Sequence, residues 1–152
     1  MTTTTPITLA LNSGVTMPVL GLGVFQSPPE ETTAAVETAI ADGYRLIDTA
    51  ASYDNEREVG DGIRASGIDR GELFVTTKLW YSDYGHDEAL VGFEGCLRRL
   101  GLDYVDLFLL HHPVPTDFDA TVAAYKAIEK VQAEGRARAI CVSNFAERHL
   151  ET

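Results

Sequence analysis

The stretch RLIDTAASYDNE, residues 45–56, begins as an apolar run suited to the centre of a sheet and then places Asp48 where another apolar side chain would continue it. Tyr53 follows in the same stretch. A carboxylate closing an apolar strand is either a turn former or a functional group held at the rim of a core. The surrounding sequence has to separate the two.

Working outward, residues 45–48 read as a strand and 55–65 as a helix closed near Gly67. The same cycle recurs downstream. Strand 73–78 precedes helix 87–99, where Leu90, Phe93, Leu97 and Leu100 fall at helical spacing. Strand 104–110 precedes helix 118–133, with Thr116 as its cap and Gly135 as its stop. Strand 138–142 leads into a helix beginning near Asn144. Upstream, VLGLGVF (19–25) reads as a strand, and Ser27-Pro28-Pro29-Glu30 opens a helix. Ser27 is placed to cap it, Pro28 to take the first helical position and Glu30 to complete a Ser-x-x-Glu box. That helix carries Ala35, Val36, Ala39 and Ile40 and stops at Gly43. ITLALNSGVTMP (7–18) sets two apolar runs around Asn12-Ser13-Gly14, a hairpin signal. Strands alternating with helices predict an α/β fold of parallel βαβ units covered by helices. Residues 1–152 read as one domain without a linker.

Composition narrows the function classes. The 152 residues are 45% hydrophobic and 23% charged, the makeup of a single soluble domain. The formal net charge of -11 is spread along the chain, which argues against nucleic acid or an anionic membrane as partner. MTTTTPITL lacks the basic residues and apolar core of a signal peptide. No apolar run reaches the roughly 20 residues that span a bilayer. Cys96 and Cys141 do not have the spacing of a disulfide scaffold. The expected setting is a cytoplasmic, reducing one.

The alternation fits an open doubly wound sheet or a closed β/α barrel. Gly21-Leu22-Gly23-Val24-Phe25-Gln26 has Gln26 in place of the third glycine of a dinucleotide fingerprint, and Pro28 and Pro29 intervene before the helix. The polar residues favour the barrel. Consecutive strands end in Asp48, Lys78, His111 and Ser143-Asn144, and barrels gather function at the C-terminal ends of their strands. Singly, these could be a turn residue, a snorkelling cation, a rim histidine and a helix cap. Jointly, Asp48, Tyr53, Lys78 and His111 make a proton-donating site. A free tyrosine titrates near ~10, too high for an efficient acid at neutral pH, and a neighbouring ammonium favours the tyrosinate. Asp48 would keep Lys78 charged, and His111 would add a hydrogen bond to an oxygen becoming an alkoxide. Side chains alternate along a strand, so only one of His111 and His112 should enter the pocket with Leu107 and Leu109. Position selects His111 and leaves His112 on the outer face or in the loop. The four histidines show no pair at metal-ligand spacing on a helix face.

The stretches PVLGLGVFQ, YRLIDTAASYDNE, FVTTKLW, LGLDYVDLFLLHHP and ICVSNF resemble the aldo-keto reductases, in that family's order and spacing and over nearly the whole chain. The resemblance implies a (β/α)8 TIM barrel and NADPH-dependent reduction of an aldehyde or ketone to an alcohol by hydride transfer, without a metal. It implies that Asp48, Tyr53, Lys78 and His111 form the catalytic tetrad, with Tyr53 as proton donor. Ser143 and Asn144 match the pair that holds the nicotinamide carboxamide, and Asp48, Gly23 and Val24 are further cofactor positions. Val24 stands where a hydroxyl residue is often found. Trp80, Phe25 and His111 match the substrate pocket, and the partner implied is a small carbonyl compound.

An eight-unit barrel takes about 250 residues. This sequence supplies about five βα units and an N-terminal hairpin, so roughly three units lie outside it. In the family those units stack on the nicotinamide, grip the pyrophosphate, read the 2'-phosphate and select substrates. Parallel strands without closure leave exposed edges, and self-association through them is expected. Two further readings stay open: an inactive partial barrel that pairs with another chain, and a subunit that senses the cofactor without turnover.

Overall fold

The computed structural model describes residues 7–151. A hairpin of β1 (Thr8–Ala10) and β2 (Thr16–Pro18) comes first, with Leu9 opposite Met17. The strands β3 (Leu22–Gly23), β4 (Leu46–Asp48), β5 (Phe74–Leu79), β6 (Val105–Leu110) and β7 (Ala137–Val142) then form one parallel sheet in chain order. Helices α1 (Pro29–Ala41), α2 (Glu56–Ser66), α3 (His86–Leu100) and α4 (Phe118–Ala133) link successive strands. Spatial order that follows chain order is a barrel wall, whereas a doubly wound sheet reverses at a switch point.

Register decides which side chains face inward. Gly23 pairs with Asp48, Asp48 with Thr76, Lys78 with Leu109, and Leu109 with Cys141. The alternate positions Ile47, Val75, Leu79, Phe108 and Leu110 are fully buried against the helices. There Phe108 meets Phe93 of α3 edge to face, centroids 4.8 Å apart. The helices pack closely enough to require glycine: a Cβ on Gly60 would sit 2.0 Å from the Leu100 carbonyl oxygen.

A buried ionic cluster is invisible in the sequence pattern. Asp106, 0% exposed, accepts from Arg70 Nη2 at 2.7 Å, from Arg138 Nη1 at 2.7 Å and from the Val75 backbone N–H at 2.9 Å. It binds β5, β6 and β7 together on their helix-facing side. No helix among the described residues is long and apolar enough to cross a membrane.

Some boundaries differ from the sequence reading. The strand expected over 19–25 shrinks to Leu22–Gly23, because the Val19 N–H extends the hairpin by bonding the Ile7 carbonyl at 3.0 Å and Gln26 turns at φ 60. No Ser27 cap forms on α1. The Ser27 hydroxyl instead accepts from Thr32 Oγ1 at 2.8 Å. The cap of α4 is Asp117, accepting from the Ala120 N–H, in place of Thr116. Asn144 adopts φ 62, which a right-handed helix cannot start from, and a 3-10 turn, Glu147–His149, stands where a fifth helix was expected.

Candidate active site

The interior face of the sheet assembles the polar strand ends. Lys78, only 8% exposed, donates to both Asp48 carboxylate oxygens at 2.8 Å and to the Thr49 carbonyl at 2.9 Å. The Thr76 hydroxyl also donates to Asp48. All three ammonium protons are therefore engaged, and the lysine is held rigidly.

Beyond Asp48 the chain makes a 3-10 turn, Ala51–Tyr53, and then a left-handed residue, Asp54 at φ 56. The end of the quoted stretch anchors this excursion. Asn55, 0% exposed, accepts from the Thr49 hydroxyl at 2.8 Å and donates to the Val24 carbonyl at 2.9 Å and the Ser27 carbonyl at 3.2 Å. Glu56, 2% exposed, accepts from Thr77 Oγ1 at 2.5 Å and Arg99 Nε at 2.6 Å. Tyr53 is thus delivered by a loop pinned at its exit. Its half-buried ring lies 5.1 Å from Lys78 Nζ, 5.0 Å from the Phe25 ring and 5.6 Å from the His111 ring.

His111 is the first residue after β6. Its backbone N–H donates to the Leu79 carbonyl at 3.1 Å, and its ring stands edge-on to Trp80 with centroids 5.1 Å apart. Burial, then the charge of Lys78 and that of His112, pull its pKa down to about 4 against the opposing pull of Asp48. At neutral pH the imidazole is neutral.

His112 lies in the loop after β6, one of the two places expected for it, but it does not turn away from His111. Its ring stacks on His111 at 4.8 Å and 14°, and meets Trp80 edge-on at 5.5 Å. Strand alternation does not govern this pair because β6 ends at Leu110. The Tyr84 hydroxyl fixes the same loop by donating to the His112 carbonyl at 2.7 Å, and burial pushes the pKa of Tyr84 up to about 12. Sequence reasoning missed Tyr84, Asn55 and Glu56 as anchors, since each acts through the fold.

The remaining candidates separate clearly. Asn144 donates its side-chain amide to the His111 carbonyl at 2.9 Å and to Ser143 Oγ at 3.0 Å, while the Ser143 N–H donates to the Leu110 carbonyl at 2.9 Å. The end of β7 is thereby tied to the histidine. Gly23 is exposed beside Asp48, and a Cβ there would meet nothing within 4 Å, so the strand backbone is open to an extended ligand. Val24 is different: it is 1% exposed in the core, with its N–H on the Asp48 carbonyl at 3.1 Å and its carbonyl taken by Asn55. Its side chain offers no surface to a cofactor. Phe25, 66% exposed, forms an outer flap beside Tyr53. A cavity of about 760 Å³ runs along β7 beside α4 and the hairpin, and it touches none of Asp48, Tyr53, Lys78 or His111. Among the described residues, no three His, Cys, Asp or Glu side chains converge to hold a metal ion.

The site thus places a phenol above a rigid carboxylate–ammonium pair and beside a neutral imidazole, within an aromatic wall. Comparison with known proteins gives the family. A profile of the Aldo/keto reductase family matches residues 19–152. Morphine 6-dehydrogenase of Pseudomonas putida is 60% identical over 141 residues, which are 93% of this chain and 47% of the relative. The crystal structure of an aldo/keto reductase from Brucella melitensis superposes with a TM-score of 0.92 at 46% identity, covering 97% of this chain and 57% of that one. The structure of a Bombyx mori aldo-keto reductase in complex with NADP gives 0.87 at 36% identity, covering 98% and 55%. The chain spans about half the length of the curated relatives it matches. Its architecture is that of an aldo-keto reductase (β/α)8 barrel represented by five strands and four helices. By sequence and by fold, the chain belongs to the aldo/keto reductase family.

Proposed function

We propose that this chain carries the proton-donating half of an NADP-dependent carbonyl reductase that interconverts aldehydes or ketones with alcohols. The observation that carries the reading is the Lys78–Asp48 pair held under the Tyr53 ring with neutral His111 alongside. When bound, NADPH supplies the hydride. Ser143, Asn144 and Asp48 would hold its nicotinamide end, and the open backbone at Gly23 leaves room for an extended ligand beside them. The NADP complex of the Bombyx mori relative supports the choice of cofactor. The morphine 6-dehydrogenase relative supports an alcohol as the reduced form of the substrate.

In this reading the Tyr53 hydroxyl protonates the carbonyl oxygen as negative charge develops there. The Lys78 charge, 5.1 Å from the phenol ring, stabilises the tyrosinate left behind. Asp48 prevents the lysine from swinging away. His111, being neutral, contributes an N–H to the same oxygen without repelling Lys78. Trp80, His112 and Phe25 form the walls against which the substrate packs. The free thiols of Cys96 and Cys141 suit a reducing, cytoplasmic setting.

NADPH oxidation by the purified chain, with a reactive aldehyde or diketone, tests the reading. Turnover should fall at least ~100-fold in Tyr53→Phe. Undiminished turnover in that variant overturns the assignment. A second reading, a partial barrel completed by another chain, is favoured by the free edge of β7 and the apolar residues Ile140 and Val142 beside it. It is supported instead if turnover appears only after such a partner is added.

A further inference from the structure

Ser52 sits in the middle of the turn that presents Tyr53, and its hydroxyl lies 3.3 Å from Nδ1 of His111. A neutral imidazole has one N–H and one bare nitrogen, and the partner of one nitrogen sets the state of the other. Among the described residues Ser52 is the hydrogen-bond partner of Nδ1, and Nε2 has none. The groups packed around the ring do not compete for Nδ1. Tyr53, Trp80 and His112 meet it through their rings, and Lys78 is committed to Asp48 and Thr49.

A serine hydroxyl can donate or accept, so the substrate decides. With the proton on Nδ1, Nε2 would turn a lone pair toward the lone pairs of a carbonyl oxygen. With the proton on Nε2, the ring donates to that oxygen and leaves Nδ1 bare, a nitrogen only a donor can satisfy. We propose that Ser52 donates its hydroxyl proton to Nδ1 of His111 and holds the imidazole as the Nε2–H tautomer, making Ser52 a positioning residue of the proton-transfer site. The choice of tautomer rests on the carbonyl-reductase reading. The arrangement also accounts for a polar residue at position 52, where the turn itself requires only backbone bonds such as Tyr53 N–H to the Ala50 carbonyl at 3.0 Å.

The test is a long-range 1H–15N correlation spectrum of 15N-histidine-labelled chain at neutral pH. The protein has four histidines, and the His111 ring is assigned by the signals lost in His111→Asn. The expected result is a bare, pyridine-type Nδ1 and a protonated Nε2 in wild type, a mixture of tautomers in Ser52→Ala, and the wild-type pattern restored in Ser52→Thr. Aldehyde turnover should follow, with kcat in Ser52→Ala lower by about two- to tenfold, the worth of one neutral hydrogen bond, and KM little changed. A protonated Nδ1 in wild type overturns the proposal, and so does an unchanged His111 pattern in Ser52→Ala. The wild-type spectrum decides even where the alanine variant does not fold. A chain that shows the expected tautomers but no turnover leaves the Ser52 bond standing and counts only against turnover by this chain unaided, the outcome that the partner-completed barrel predicts.

Discussion

His111 shows how a single residue couples the site to stability. The free side chain titrates near 6.5, whereas in the fold its pKa lies at about 4, so between those values the unfolded chain binds a proton that the native one refuses. His111 therefore favours the native state fully above pH ~6.5, and its contribution is lost as pH falls toward 4. His111→Asn should weaken the acid dependence of the urea midpoint in that window; identical slopes would show that the ring titrates normally. Asn55 is the second test at this scale. Replacing it with alanine leaves the buried Thr49 hydroxyl without its acceptor and takes one of two donors from each of the Val24 and Ser27 carbonyls, which keep the Ser27 N–H and the Thr32 hydroxyl respectively. The expected loss is about 1–3 kcal/mol by denaturant unfolding, together with slower turnover as the Tyr53 turn loosens.

Among the elements, the complete helices, the hairpin and the strand 45–48 were legible, whereas the strand expected over 19–25 and the helix expected near Asn144 were not. α2, α3 and α4 lie within a residue of their expected bounds because heptad-like apolar spacing and a glycine stop mark each of them, as with Gly67 at φ 68 and Gly135 at φ 74. The run 19–25 is apolar throughout, so local pattern could not say that Val19 belongs to the hairpin while Leu22 belongs to the sheet. Partner strands make that choice. Helix contact is equally non-local: Gly60→Ala should destabilise by about 1–3 kcal/mol, since the new Cβ meets the rigid Leu100 carbonyl, and a neutral result by urea unfolding would mean that α3 moves freely. Asp106→Ala should cost about 1–3 kcal/mol by the same measurement, because it leaves the buried Val75 N–H without its acceptor and takes the shared carboxylate from the partly exposed Arg70 and Arg138.

At the scale of the whole sheet, β7 is the last strand among the described residues. Its outer edge is unpaired among the described residues, with Cys141 exposed, half-buried Ile140 and Val142, and the apolar cavity alongside. Such an edge is a template for another strand. Sedimentation velocity across a concentration series should show reversible association of the chain, reduced when Ile140→Lys places a charge at the edge. A monomer at every concentration would count against self-association.

The sequence by itself determined the alternation of elements, the family resemblance and the positions of Asp48, Tyr53, Lys78 and His111, because period, caps and strand-end chemistry are local properties of the chain. Tertiary structure alone decided that Val24 is core, that His112 stacks on His111, and that Ser52, Asn55 and Tyr84 hold the site in place. Each of these depends on which loop folds against which, and loop contacts between residues some 30 to 60 positions apart, such as Ser52 with His111, leave no periodic trace for a sequence reading to find.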